Sequence, residues 1–448
     1  MENRLVTENV GKTVMRFSLP YLCSYFLQTL YGMVDLYIIG LFCGVESTTA
    51  VSIGSQVMHM ITVMIVGLAM GTTVVIGHAT GGGDKKKASR AIGNTVILFM
   101  VVAVALAVIL IFIRTPIVKV MSTPDEAVDG TLSYLLICFI GIPAITAYNI
   151  ISSIFRGLGD SKSPMYFIAI ACVVNIALDW LFIGPLSMGP SGAALATVSA
   201  QTFSVIIALI FIKKKDTGIS VKAADLKPDK ETMGEIVKIG IPIALQDGFV
   251  QIAFLVLTVI ANQRGLNDAA AVGIVEKLIS LMFLVPSSML STVSALGAQN
   301  IGAGREDRAR KVLYYALAIA VSWGVLMVII MQINADFFVG LFTTSEEVAA
   351  LGGQYMRGYV FDCICAGIHF SFSGYFCAYG KSGYSFLHNC CSILLGRIPL
   401  AYLASVNFPD TLLPMGLATS AGSAISVIIC IVLYRFMRRR QKRREYEY

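Results

Sequence analysis

Two aspartates and an asparagine, Asp35, Asn175 and Asp179, interrupt otherwise apolar stretches of the chain. An ionised side chain inside a membrane-spanning helix costs a few kcal/mol, so each such residue needs a chemical reason. Asp35 and Asp179 each stand five residues before a glycine, Gly40 and Gly184. At about 1.5 Å per residue, on two helices that run outward, that spacing sets both acids at one depth. Asn175 lies one turn before Asp179 on the same helix face and offers an amide oxygen or a donor. No lysine or arginine lies at depth in this half of the chain. Two carboxylates at one level with no base beside them cannot both keep their charge, so the pair holds a proton or takes Na⁺ in its place. Carboxylate oxygens, the Asn175 amide and a backbone carbonyl freed at a helix distortion are the hard donors Na⁺ wants. The plainer alternative is that both acids are protonated or hydrogen-bonded packing residues.

The elements that must hold these acids are membrane-spanning helices. Of 448 residues, 56% are hydrophobic and only 14% charged, against about a quarter charged in soluble domains. Apolar runs long enough to cross about 30 Å of hydrocarbon fill almost the whole sequence. They place about twelve helices at 14–42, 48–80, 91–114, 130–156, 163–185, 191–213, 236–262, 269–300, 310–334, 349–378, 383–406 and 412–436. The runs are too long, and too poor in two-residue alternation, for barrel strands. A net charge of +7 invites thoughts of nucleic acid, but its placement does not. Of 34 lysines and arginines, 28 lie in the termini and in alternate connections, while the intervening connections hold only Arg114, Lys119 and Arg264. That bias predicts both termini in the cytoplasm of a bacterial inner-membrane protein, with the bilayer and not nucleic acid as its surroundings. The basic tail with Arg438, Arg439 and Arg440 fits a stop-transfer segment that meets anionic lipid. The amino terminus has no short apolar core followed by a cleavage site, so the first long apolar run is read as a true span.

Internal repetition organises the chain further. Phe155 to Ser161 (FRGLGDS) returns in weaker form as Phe376 to Ser382 (FCAYGKS), 221 positions later. Pro20 and Pro242, and Gly77 and Gly297, pair at offsets of 222 and 220. A six-helix unit has therefore been copied, giving lobes at 1–222 and 223–448. An even number of helices per copy makes the repeats parallel, an arrangement known in secondary transporters. At the positions equivalent to Asp35 and Asp179 the second copy carries Leu257 and Leu400, so the acid pair belongs to the first lobe alone.

Within its spans the second half has three acids, Asp247, Glu276 and Asp362, and three bases, Lys277, Arg357 and Arg397. They are read either as buried ion pairs that hold the lobe together, or as a substrate or gating site in which Glu276, Asp362, Arg397 and Gln246 take part. Ten cysteines and four histidines show no metal-ligand spacing. A membrane enzyme would need a motif such as His-Glu-x-x-His or Gly-x-Ser-x-Gly, and neither occurs; Gly81 to Lys85 lacks the spacing of a phosphate-binding loop. No cofactor and no enzymatic activity are expected.

Several of these motifs together resemble the multidrug and toxic compound extrusion (MATE) family. They are the Arg156-Gly157-Leu158-Gly159-Asp160 turn, Met33-Val34-Asp35 running to Gly40, the Gly77 to Gly83 cluster and Ala295 to Gly304. The resemblance covers the whole chain. It implies an all-α membrane fold of twelve helices in two six-helix lobes around a central cavity. Its activity would be export of small organic, cationic or amphipathic compounds by a monomer, in exchange for H⁺ or Na⁺. In the DinF-like branch the family's acids on the first and fifth helices, with an asparagine one turn earlier, fall on Asp35, Asp179 and Asn175. The glutamate of the NorM-like branch on the seventh helix is missing: that place reads Val250 or Gln251. A lipid-linked oligosaccharide flippase of the same superfamily is the alternative, and would want basic residues in its cavity.

Overall fold

A computed structural model describes residues 4–214 and 222–446, and within them the chain is helical with no strand. After a single helical turn at Arg4–Thr7 come α1 (Val10–Phe42), α2 (Val45–Gly81), α3 (Lys85–Val120), α4 (Asp125–Gly157), α5 (Lys162–Ile183) and α6 (Gly189–Lys214). The second set is α7 (Lys230–Arg264), α8 (Leu266–Met282), α9 (Leu284–Gly302), α10 (Glu306–Gly340), α11 (Glu346–Tyr359) and α12 (Asp362–Ala378). It continues with α13 (Ser382–Cys391), a π-helical segment Ser392–Arg397, α14 (Ile398–Asn407) and α15 (Leu413–Tyr446). Among the described residues eleven spans are long and apolar enough to cross a bilayer, and α11 with α12, bent by 43°, supplies a twelfth.

Three of the expected spans are interrupted where the sequence reading drew them whole. The eighth breaks at Phe283 because Pro286 has no N–H to give to the carbonyl of Met282. That carbonyl accepts instead from the Trp323 indole at 2.9 Å. At the α11–α12 break the carbonyls of Gly358 and Tyr359 accept from the Ser420 hydroxyl, at 2.9 and 3.2 Å. In the eleventh span the wider π turn precedes Pro399, whose ring would clash with a regular helical carbonyl. Each irregularity is thus lodged where a neighbouring side chain or a wider turn meets the freed group, as hydrocarbon demands. By contrast, α1 and α7 run on as helices through Pro20 and Pro242.

The duplicated motifs are duplicated helix stops. Gly159 and Gly380 have φ of +89° and +67°, a region open to glycine at little cost. In the first copy the N–H of Asp160 donates to Phe155 O at 2.8 Å and that of Gly159 to Arg156 O at 3.0 Å. Lys381 to Phe376 O and Gly380 to Cys377 O repeat the pattern, both at 2.8 Å. These paired bonds close the last carbonyls of a helix in a Schellman turn. Gly83 and Gly304 end α2 and α9 in the same way, with φ of +74° and +72°. The copies differ in one respect. Asp160 also accepts from the N–H groups of Lys162 and Ser163, each at 3.0 Å, and so caps α5, whereas Lys381 cannot.

Packing divides the described chain into two compact units, one within Leu19–Ala244 and the other formed by Met1–Ser18 with Leu245–Tyr448. The division at 222/223 concerns the copied sequence, while the units concern packing, and each of α1 and α7 changes unit beside its proline. In the first unit Asn94 of α3 accepts from the N–H of Asp229 at 2.7 Å, and Lys87 pairs with Glu235 at 3.5 Å. In the second, Arg308 of α10 donates to Glu8 O at 2.5 Å and Arg305 to Val6 O at 3.4 Å. The first core gathers Ile39, Leu135, Phe139 and Ile142; the second gathers Val272, Ile279, Met356 and Val360.

A Cβ at the left-handed turns costs about 1–2 kcal/mol, so Gly159→Ala and Gly380→Ala should each lower stability by that amount. Asp160→Ala should remove about 1 kcal/mol more through the lost cap, while Lys381→Ala should be near neutral. Thermal unfolding of the purified protein in detergent reads all four variants.

Candidate functional site

The first unit brings together the acids that the sequence separates by more than 140 residues. Asp35 on α1 and Asp179 on α5 are electrostatic neighbours, and both adjoin Asn175. Asp179 is fully buried, Asn175 and Asp35 nearly so. Oδ1 of Asp35, both oxygens of Asp179 and both amide atoms of Asn175 are buried without a hydrogen-bond partner. Buried polar groups are almost always satisfied. Here five such atoms converge in one place, and the groups that face them are one another.

Two further side chains, from α6, complete the cluster. Thr197 faces Asp35, and Gln201 stands one turn further along the same helix. Their Oγ1 and Oε1 are also buried and unpartnered. A narrow crevice in this unit is lined by Tyr31, Ala171, Asn175, Thr197, Ala200 and Gln201. Thr197 and Gln201 escaped the sequence reading because neither is ionisable. The available signal was a polar pair at i, i+4, of which Gln201 is the one amide on a helix whose other polar residues before its basic end are serine and threonine. Taken together, the site offers two carboxylates, one or two amide oxygens and a hydroxyl. That donor set can hold a proton, or fit Na⁺ with hard oxygens, and it contains no cation of its own.

Charges in the second unit are arranged on the opposite principle. Arg397, at the end of the π segment, forms an ion pair with Asp362 at the start of α12, both buried. The Arg397 guanidinium also lies 5.8 Å from the Phe254 ring and 5.7 Å from that of Tyr359. Glu276 is an electrostatic neighbour of Arg397 and accepts from the Thr258 hydroxyl at 3.5 Å. One oxygen each of Glu276 and Asp362, and Nε of Arg397, have no partner. Glu276, Asp362 and Arg397 are therefore one cluster. Gln246 is not part of it. It sits eight residues before Phe254 on α7, about 12 Å along the helix, beside Asp247. Arg357 does not serve the interior acids either: it makes a bidentate pair with Asp336, at 2.7 and 3.1 Å. Lys277 is exposed on the other side of α8.

Two of the histidines that look scattered in sequence meet in the fold. Nδ1 of His388 lies 2.6 Å from the Ser426 hydroxyl and Nε2 2.9 Å from that of Ser373. The His369 ring is 5.7 Å away. Among the described residues no group of three His, Cys, Asp or Glu side chains is placed to hold a metal ion.

The MatE family model matches the chain twice, over residues 20–181 and 242–403. The offset of the two matches is 222, that of the internal repeat. The first segment contains Asp35, Asn175 and Asp179; the second contains Glu276, Asp362 and Arg397. Among curated proteins, a probable multidrug resistance protein of Bacillus subtilis, YpnP, is 27% identical over 398 residues, 89% of each chain. The multidrug export protein MepA of Staphylococcus aureus is 26% identical over 376 residues, 83% of this chain and 82% of its own. An FAD transporter of Shewanella oneidensis is 24% identical over 432 residues, 92% and 94% of the two chains. A crystal structure of MATE in a straight conformation superposes with a TM-score of 0.92 at 22% identity, covering 98% of both chains. An outward-facing multidrug resistance MATE family transporter does so equally well.

Breaking a buried ion pair from one side leaves the other charge uncompensated, at a cost of about 3–5 kcal/mol. Arg397→Met alone should lower stability by that much, and the double variant Arg397→Met/Asp362→Leu should recover most of it. Thermal unfolding of the two variants and Asp362→Leu, read as a double-mutant cycle, measures the coupling.

Proposed function

The chain belongs to the MatE family, and from that premise we propose that this membrane transporter works as an antiporter, exporting small organic cations or amphipathic compounds against inward H⁺ or Na⁺. It is a multidrug efflux transporter and not an enzyme. The observation that carries the antiport reading is the set of unpartnered buried atoms on Asp35, Asn175 and Asp179. A site that is anionic, desolvated and without its own counter-charge has the lowest free energy when a cation sits in it.

The cycle follows from that requirement. While open to the cytoplasm, the transporter takes up substrate; rocking of the lobes then exposes it outward. A coupling ion arriving at Asp35 and Asp179 from outside removes the repulsion between the carboxylates and favours substrate release and return. Both termini lie in the cytoplasm of a bacterial inner membrane, in keeping with the lysine and arginine bias. Asn175 and Thr197 orient the carboxylates for a proton, or lend oxygens to Na⁺. In the second lobe, Glu276 with the Asp362–Arg397 pair contacts substrate or gates its passage, and Gln246 stands further along α7. A flippase for lipid-linked oligosaccharide diphosphates is disfavoured, because Arg397 is taken up by Asp362 and Arg357 by Asp336.

In energised vesicles, Asp35→Asn and Asp179→Asn should each reduce export of ethidium at least about tenfold, the size expected when an essential ionisable group is lost. Export by both variants at the parent rate would end the antiport reading. Purified protein in liposomes, given a pH gradient or a Na⁺ gradient separately, should accelerate ethidium movement with one of them, which identifies the ion.

A further inference from the structure

Below the acid pair, the first unit holds buried hydroxyl groups that the antiport reading does not use. Tyr31 precedes Asp35 by four residues on α1, so the two share a face one turn apart. Its ring packs against the apolar cluster that contains Tyr148 of α4, and its hydroxyl is an electrostatic neighbour of both Asp35 and Tyr148. Gln201 adjoins the same hydroxyl and steadies it from α6. Ser152 follows Tyr148 by one turn on α4 and stands within its reach. Another turn on lies Arg156, half-buried at the end of α4, its guanidinium 4.8 Å from the Tyr21 ring. Tyr148 is 3% exposed and Ser152 1%, and apart from their contact with each other neither hydroxyl has a hydrogen-bond partner.

The direction of this series is uniform. Because α1 and α4 run oppositely, Asp35 to Tyr31 and Tyr148 to Ser152 to Arg156 all step toward the Gly157–Gly159 turn. Each helical step is about 6 Å. A buried hydroxyl left unsatisfied costs about 1–3 kcal/mol, and packing alone would have put phenylalanine at 148 and alanine at 152. We propose that Tyr31, Tyr148 and Ser152 form a proton relay inside the first lobe that carries the coupling proton from Asp35 to the cytoplasmic face at Arg156. This rests on the antiport reading with H⁺ as the ion.

In one passage the O–H bond of the Asp35 acid breaks and its proton joins the Tyr31 oxygen. Tyr31 gives its own proton to Tyr148, Tyr148 gives one to Ser152, and Ser152 releases one to water beside Arg156. Every hydroxyl oxygen gains one proton and loses one, so the net change is a carboxylate at Asp35 and a proton in the cytoplasm.

The test uses the full chain in liposomes with a pH-sensitive dye inside. Tyr148→Phe keeps the ring and its packing and removes only the hydroxyl. It should slow pH-driven ethidium export about tenfold or more, within the range of a lost proton-transfer group, leave the ethidium Kd unchanged and raise the solvent isotope effect in D₂O. Ser152→Ala should act alike, Ser152→Thr should restore the rate, and Tyr31→Phe/Tyr148→Phe should be no slower than the slower single variant. Parent rates and a parent isotope effect in both Tyr148→Phe and Ser152→Ala would overturn the relay. Export driven by Na⁺ with no isotope effect would overturn it too. If Asp35→Asn is inactive while Tyr148→Phe behaves as the parent, the relay alone fails; if Asp35→Asn is fully active, the antiport reading fails with it.

Discussion

Two carboxylic acids buried side by side with no base beside them are the constraint from which the rest of this structure takes its meaning. Like charges about 4 Å apart repel by about 4 kcal/mol even at an effective dielectric constant of 20. That is a large fraction of the stability of a typical folded domain. Asp35 and Asp179 therefore cannot both be ionised and alone, and on the proposed antiport reading a mobile cation comes to them. Apolar helix faces exclude competing water. The amides and hydroxyls of Asn175, Thr197 and Gln201 leave donors and acceptors turned inward. Nothing in this arrangement completes itself.

The second lobe solves the equivalent problem with a fixed charge. Its scaffold is the same: the same Schellman turns, at an offset of 221, end the corresponding helices. But Leu257 and Leu400 stand where the first lobe has acids, and the two acids grouped around Arg397, Glu276 and Asp362, lie on α8 and α12, beside breaks that the first lobe lacks. Those breaks bring Asp362 to the start of α12 and Arg397 to the end of a π turn, where the two meet. On the proposed reading, an arginine tethered to the backbone supplies permanently what the first lobe takes from solution. Duplication supplied two similar frames, and the counter-charge distinguishes them: the second lobe carries it covalently as Arg397, and the first lobe has none beside its acids.

Much of this was legible in the sequence, for reasons that can be named. Spanning helices announce themselves because hydrocarbon forbids any other open-chain backbone, so twelve apolar runs translate into twelve spans. Asp35 and Asp179 were legible because an acid is costly in a bilayer wherever it points, and Asn175 because it lies one turn away on the same helix. The breaks were less visible. Pro20 and Pro242 draw the eye but are absorbed into continuous helices, whereas Pro286 opens its helix at Phe283, where an indole from α10 meets the freed Met282 carbonyl. Pairing was hidden for a similar reason. Equal numbers of acids and bases allow many partnerships, and only the fold gives Arg357 to Asp336 and leaves Glu276 beside Arg397. Thr197, Gln201, Tyr148 and Ser152 are of types common in any membrane helix. What sets them apart is the direction in which they face, which one helix read alone does not disclose.

The inequality of the lobes also bears on how much work one cycle can do. Moving one charge inward through 100 mV releases about 2.3 kcal/mol, enough to sustain roughly a fifty-fold gradient of an uncharged compound. If the compound carries one positive charge outward, a one-for-one exchange moves no net charge. The membrane potential then contributes nothing, leaving the concentration gradient of the ion to do all the work. A second coupling ion would restore the electrical contribution, and the question becomes where it would bind. Asp362 is held by Arg397, and that cluster, two acids and one base, has at most one charge to neutralise. The first lobe has two carboxylates, so its capacity is two protons or a single Na⁺. On the proposed antiport reading, a monovalent cation is therefore exported with help from the voltage only if protons enter at both acids of the first lobe and leave both in each cycle.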